Sequence, residues 1–377
     1  MLYPTYTPPW FLKNGLLMTL YSFFYTSQVW EKFTVDPQPP YQEKIFTGAE
    51  DVPIFGWVAI PENPRGTIVG TYGITGNLED QWFLQVLGRK AFARGYAVVL
   101  FDWRAHGKTA QLSPNLTSDG LYEGEDFVRI AAQAKAMGCP GKFWFTGYSL
   151  GGHLALWGVK AGQFLSKAAR NLGLRSQDIG GGAVICPNLD SNRSLAYLVN
   201  HPLGRYLEKE VAKNLKTTAW ELYRYHPDDI DPAAIERANS IWGFDRELVI
   251  PRLGFNSVEE YYDASCPLVH VLPELNQPTL IIYAEDDPMF YPGLVPELKA
   301  IAANNSAIDL ISTEFGGHLG YFSSKTCQKQ AGDYDPWWAW NRMLDWCDRQ
   351  TLTVPEKSSE LLTMQGRSHR QNIPNIA

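Results

Sequence analysis

The chain has 377 residues, 45% of them hydrophobic and 13% aromatic, with a formal net charge of −7. That length allows one large domain or two smaller ones, and the apolar content excludes a disordered chain. The acidic balance, with no basic run, excludes the electrostatic footprint of a nucleic-acid binder.

Residues 1–50 hold one apolar stretch, Leu16 to Tyr25, preceded by PPWFLKNG. It is too short and too polar to span a bilayer, and it lacks the basic start and small-residue cleavage site of a secretory signal. The segment reads as an amphipathic or buried helix packed on the core. A second reading lays its Phe, Tyr and Trp side chains peripherally on a membrane surface.

From about Val52 short apolar runs alternate with longer amphipathic ones, which predicts an α/β fold with a mostly parallel central sheet flanked by helices. VPIFGWVAI and GTIVGTYG read as a first pair of strands, and LEDQWFLQVLGRKAFARG, apolar at every third and fourth position, as a helix. YAVVLFDW is the next strand, GEDFVRIAAQAKAMG a helix, KFWFTGYS a strand, and GGGAVICPNL another. These form the first part of the core, residues 51–189. From 190 to 277 the alternation gives way to polar helical pieces separated by prolines, the mark of an inserted unit. The core resumes over 278–352 with PTLIIYAEDD, a helix near Leu294 to Asn304, the strand IDLISTEF and a Trp-rich helix near Asp335 to Arg349. Residues 353–377 read as a flexible tail.

Within this order the pentapeptide GYSLG, Gly147 to Gly151, links a strand to a helix. A serine hydroxyl is pushed out of a sheet only by a tight turn that tolerates very small residues two before and two after it, so Ser149 is the predicted nucleophile. In such sheets the acid and then the histidine follow the nucleophile along the chain. Of the seven histidines only His318 and His369 lie beyond the next credible acid, and His369 sits in the polar tail. His318, in FGGHLGYF after a strand, is therefore the predicted base. For the acid, YAEDDPMF offers Glu285, Asp286 and Asp287; the usual turn, small-x-x-Asp, places Ala284 in the small position and favours Asp287 over Asp286, leaving Asp286 to cap the following helix.

The oxyanion hole needs two backbone N–H groups. One is predicted at Leu150, directly after the nucleophile, and the other in TYGITG at Ile74, with Gly73 as the alternative. His153, one turn into the elbow helix, reads as a packing or hydrogen-bonding residue, and His106 as one that orders a loop. The tryptophans 337, 338, 340 and 346 read as core. Five widely spaced cysteines, with no CxxC pair and no Cys/His cluster of metal-ligand spacing, read as free buried thiols of a reducing cytosol, so the expected location is cytoplasmic.

Several spaced segments together resemble the YheT-like branch of the α/β-hydrolase superfamily, relatives of the ABHD-type esterases and lipases. They are PPWFLKNGLLMTLY, DWRAHGKT, GYSLGGH, FDRELVIPRLGFNSVEEYYDASC, AEDDPMF and TEFGGHLGYF, and the resemblance covers about residues 5 to 350. It implies an α/β-hydrolase fold with a helical cap inserted after the strand that follows the nucleophile elbow. It also implies a Ser149, Asp287 and His318 triad, no metal or organic cofactor, and hydrolysis of acyl esters. The chain departs from the family's pattern at Tyr72, where histidine is usual before the glycine of the oxyanion turn, at His153, where asparagine is common, and at Ala284, where glycine is frequent. The aromatic and aliphatic residues of the insertion, among them Trp220, Tyr223, Trp242, Phe244, Tyr261 and Tyr262, point to an apolar acyl pocket. The expected partner is a small-molecule ester of short to medium chain or a monoacylglycerol-like lipid, with no nucleic acid. Transfer of the acyl group to an alcohol or thiol, or a non-catalytic scaffold of the same fold, are the alternative readings.

Overall fold

A computed structural model describes residues 3–352. Eight strands form one sheet: β1 (Gln42–Thr47), β2 (Pro53–Ala59), β3 (Thr67–Thr71), β4 (Ala97–Phe101), β5 (Phe143–Tyr148), β6 (Ile179–Ile185), β7 (Thr279–Ala284) and β8 (Ile308–Thr313). Their spatial order is β1-β2-β4-β3-β5-β6-β7-β8. β2 runs antiparallel to both β1 and β4, and every pairing from β4 onward is parallel.

Strands β3 to β7 are buried along their whole length, which explains their unbroken apolar runs: helices cover both faces of the sheet. β1 differs. It reads QEKIFT, is exposed at four of its six residues, and lies at the sheet edge, where charged side chains blunt further pairing. Its polar sequence hid it within a segment expected to be helical. The two strands read as a first pair, β2 and β3, do not pair with each other, because β4 lies between them.

The N-terminal segment forms α1 (Gly15–Leu20), a π-helical turn over Tyr21–Thr26, and α2 (Ser27–Phe33). Asn14 caps α1 by accepting the Leu17 N–H. α3 (Trp82–Ala93) and α4 (Glu123–Ala136) cross over between strands, and α5 (Leu150–Gln163) leaves β5 directly. After β6 come α6 (Ser191–Asn200), the long α7 (Pro202–Tyr225) and α8 (Val258–Ser265), with shorter turns of helix between α7 and α8. This stretch has an apolar cluster of its own, built from Leu215, Leu222, Ile235, Phe244, Val249 and Tyr261, which meets the core at Ala105 and Leu116. α9 (Leu294–Asn304) and α10 (Trp338–Leu352) complete the helical layers. Trp337, Trp338, Trp340 and Trp346 are all buried in the main core. The predicted tail and His369 lie outside the described residues.

Chain direction in the sheet turns at β3: β4 lies on one side of it and β5 on the other. Two βα loops diverge at such a point and leave a crevice at the carboxyl ends of the strands. Ser149 follows β5 there and Ile74 follows β3.

Candidate active site

Ser149 sits at φ 54° and ψ −127°, as the residue preceding α5. That conformation is costly for a residue with a Cβ and persists only where the surroundings enforce it. They do so by close approach. A methyl carbon on Gly147 would stand 2.2 Å from the Gly151 carbonyl oxygen, and one on Gly151 would stand 2.3 Å from that of Tyr72. The Ser149 N–H donates to the Ile185 carbonyl at 3.1 Å, and its own carbonyl accepts from Gly152, His153 and Asn188.

His318 lies in the loop after β8, between residues that take left-handed or Gly-only conformations: Gly316 (φ 153°), Gly317 (φ 56°) and Leu319 (φ 65°). Its Nε2 is 3.0 Å from Ser149 Oγ and its Nδ1 is 2.8 Å from Asp287 Oδ2. Both His318 and Asp287 are buried. The Asp287 carboxylate fixes the tautomer: an ionised carboxylate only accepts, so Nδ1 carries the hydrogen and Nε2 offers its lone pair to the serine hydroxyl. Phe290 stands edge-on to the imidazole, with ring centroids 5.0 Å apart. The other oxygen of Asp287 accepts the Met289 N–H at 2.8 Å.

Asp286 does not reach the imidazole. Its Oδ1 accepts the Gly317 N–H at 2.8 Å and so ties the acid loop to the histidine loop, instead of capping the helix that follows. Burial, reinforced by the neighbouring Asp287 charge and opposed by that hydrogen bond, raises its pKa to about 6.

The Leu150 N–H belongs to the first residue of α5 and has no partner within the helix. Among the described residues neither it nor the Ile74 N–H donates to any acceptor, and both residues line the cavity beside Ser149. Gly73 packs against Ser149, since a Cβ there would lie 3.0 Å from Ser149 Cβ. Tyr72 turns its hydroxyl away from the cavity and donates to Asp102 Oδ1 at 2.7 Å. Asp102 also accepts from the Leu78 and Lys108 amides, which pins the loop that carries Ile74.

His153 does not contact Ser149 Oγ. Its Nε2 lies 2.7 Å from the Asp119 carbonyl oxygen, and burial lowers its pKa to about 4. His106 stacks on Trp103 with centroids 3.7 Å apart, and its Nδ1 meets the Arg104 carbonyl at 2.9 Å. Arg104 in turn grips Asp126 with two hydrogen bonds.

The cavity above Ser149 has a volume of about 1020 Å³ including its mouth. Leu195, Val211, Leu215, Ala219, Leu222 and Phe244 line one side of it, and Asp119, Asp245 and Tyr262 add polar groups. Sequence reasoning did not anticipate two contacts to the histidine loop, those made by Asp286 and Thr19. Thr19 accepts the His318 N–H at 2.8 Å across 299 residues of chain, a pairing with no local sequence signal.

A family model described as the alpha/beta hydrolase family matches residues 73–326. The chain is 53% identical over 355 residues to "Putative esterase slr0264" of Synechocystis sp., covering 93% of this chain and 96% of that one. It is 23% identical over 342 residues to "Putative esterase YheT" of Escherichia coli, covering 89% and 90%. Among solved structures, an acylaminoacyl peptidase of Pyrococcus horikoshii superposes with a TM-score of 0.52 at 13% identity, over 88% of this chain and 44% of that larger one. That last likeness is one of fold. With the family model spanning most of the chain and a relative of this identity matching nearly all of it, the chain belongs to the alpha/beta hydrolase family, in its YheT-like and ABHD-like branch.

Proposed function

We propose that this protein hydrolyses carboxylic esters through an acyl-enzyme on Ser149. The observation that carries the reading is the continuous relay from Asp287 Oδ2 to His318 Nδ1 at 2.8 Å and from His318 Nε2 to Ser149 Oγ at 3.0 Å, which ends at the floor of an apolar cavity. As Oγ attacks the ester carbonyl, Nε2 takes its proton and Asp287 stabilises the imidazolium that forms. The Leu150 and Ile74 amides, uncommitted elsewhere, donate to the oxygen on which negative charge develops. When the tetrahedral intermediate collapses, the C–O bond breaks and Nε2 returns the proton to the departing alcohol. Water then attacks the acyl-enzyme with His318 again as base, releasing the acid and restoring Ser149.

The aliphatic wall of the cavity suits an acyl chain, and we take the substrate to be an ester of short to medium chain or a monoacylglycerol-like one. The name of the 53% identical relative supports ester hydrolysis as the reaction class. Hydrolysis of p-nitrophenyl esters from acetate to palmitate, by the wild type and by Ser149→Ala, tests the reading. Turnover by the wild type that vanishes in the variant is expected, with an optimum at short to medium chains. Undiminished turnover by Ser149→Ala would exclude this nucleophile.

A further inference from the structure

We infer that Thr19, in the N-terminal helix and outside residues 73–326 matched by the family model, is a positioning residue for His318. The inference deepens the reading of Ser149 as nucleophile and His318 as base. The backbone of the histidine loop belongs to no strand or helix, and its positive-φ residues on either side of His318 leave little of it held by local hydrogen bonds. Its own backbone contacts run from Gly320 and Tyr321 back to the Gly316 carbonyl. The two amides at its centre go elsewhere: that of Gly317 to Asp286 Oδ1 and that of His318 to Thr19 Oγ1, both at 2.8 Å.

Thr19 is well placed for this task because it is fully buried and its own hydroxyl hydrogen is already committed. Oγ1 donates to the Gly15 carbonyl at 2.7 Å, so a lone pair is left facing the His318 N–H. The contact depends on α1 lying directly on both loops. A Cβ on Gly15 would stand 1.7 Å from the Asp286 carbonyl oxygen. One on Gly317 would stand 2.3 Å from the Gly15 carbonyl oxygen and 2.7 Å from Thr19 Oγ1, and one on Gly320 would meet the Met18 side chain at 2.1 Å. Glycine at these three positions is what lets the helix seat against the loops. Thr19 therefore sets where the backbone of His318 sits, and through it the reach of Nε2 to Ser149.

The test compares Thr19→Val, which keeps the shape and removes the acceptor, with Thr19→Ser, which keeps the acceptor. Two measurements are made on each full-length protein: the rate and the final stoichiometry of Ser149 labelling by a fluorophosphonate, and kcat and KM on a p-nitrophenyl ester. Thr19→Val is expected to slow labelling and lower kcat by roughly 10- to 100-fold, with KM and final stoichiometry unchanged, as a small displacement of a catalytic group does. Thr19→Ser is expected to restore both rates close to wild type. Wild-type rates in Thr19→Val, a rate loss shared equally by Thr19→Ser, or a loss explained wholly by fewer labelled molecules would each overturn the inference. Should Thr19→Val not fold, Thr19→Ala carries the same comparison. Labelling does not depend on the choice of ester, so a fast-labelling wild type that cleaves no ester would fault the substrate reading and leave this one standing, whereas an unlabelled wild type would fault both.

Discussion

At the scale of single residues, the two adjacent aspartates show how one atom's reach separates roles that composition leaves equal. Asp287 touches the imidazole, and Asp286 touches the loop backbone one residue earlier. Asp287→Asn should lower kcat by roughly 10⁴-fold, because an amide at that point no longer favours the productive imidazole tautomer. Asp286→Asn keeps an oxygen that can accept the Gly317 N–H and should retain most of the activity. Steady-state kinetics on one ester measures both, and the reverse ranking would reassign the acid. The place of Asp287 beside the imidazole was legible from its spacing to Ala284 because that turn is local, and the strained turn at Ser149 from its flanking glycines for the same reason. Thr19 was not, because its partner is distant in the chain and threonine in an apolar helix is unremarkable by itself.

At the scale of elements, the elbow works because α5 starts almost in contact with the backbone after β3. Gly151 marks the contact: a Cβ there would lie 2.3 Å from the Tyr72 carbonyl oxygen and 2.9 Å from that of Thr71. Those atoms are backbone and cannot swing aside. Gly151→Ala should therefore cost about 1–3 kcal/mol of stability as overpacking does, and it should also displace the Leu150 amide relative to Ile74. Thermal unfolding and kcat, measured together, check this; a variant with wild-type Tm and kcat would contradict so close a contact. The strands beneath were readable wherever both faces are covered, since burial of both faces demands unbroken apolar runs such as AVVLF in β4. β1 escaped notice because its edge position leaves most of its side chains in water and removes that demand.

At the scale of the whole molecule, buried titratable groups set opposing pH responses. His106 and His153 are each pushed down to about 4 by burial, below the ordinary histidine value near 6.5. The unfolded chain therefore binds more protons than the folded one between about 4 and 6.5, so each contributes stability that is present above 6.5 and lost as pH falls through 4. Asp102 and Asp286 are raised to about 6 and Asp245 to about 7, chiefly by burial. Their contribution has the other sign, present at low pH and lost as pH rises toward 6 or 7. A single histidine shifted this far is worth about 3 kcal/mol across its window. His153→Gln, whose amide can still donate to the Asp119 carbonyl, should lose less Tm than the wild type between pH 7 and pH 5. An identical change in the two proteins would show that His153 is not held neutral.

By itself the sequence determined what local physics dictates: a parallel sheet from doubly buried strands, a serine on a turn that only glycines permit, and a histidine in a glycine-flanked loop after a late strand. Tertiary structure decided what depends on contacts between distant segments. It placed β4 between β2 and β3, sent Tyr72 to Asp102 rather than toward the cavity, split the tasks of Asp286 and Asp287, and laid the N-terminal helix on the histidine loop. Periodicity and turn chemistry act over a few residues and leave a mark in sequence. A hydrogen bond from residue 318 to residue 19 is formed only once the chain has folded, and no pattern along the chain records it.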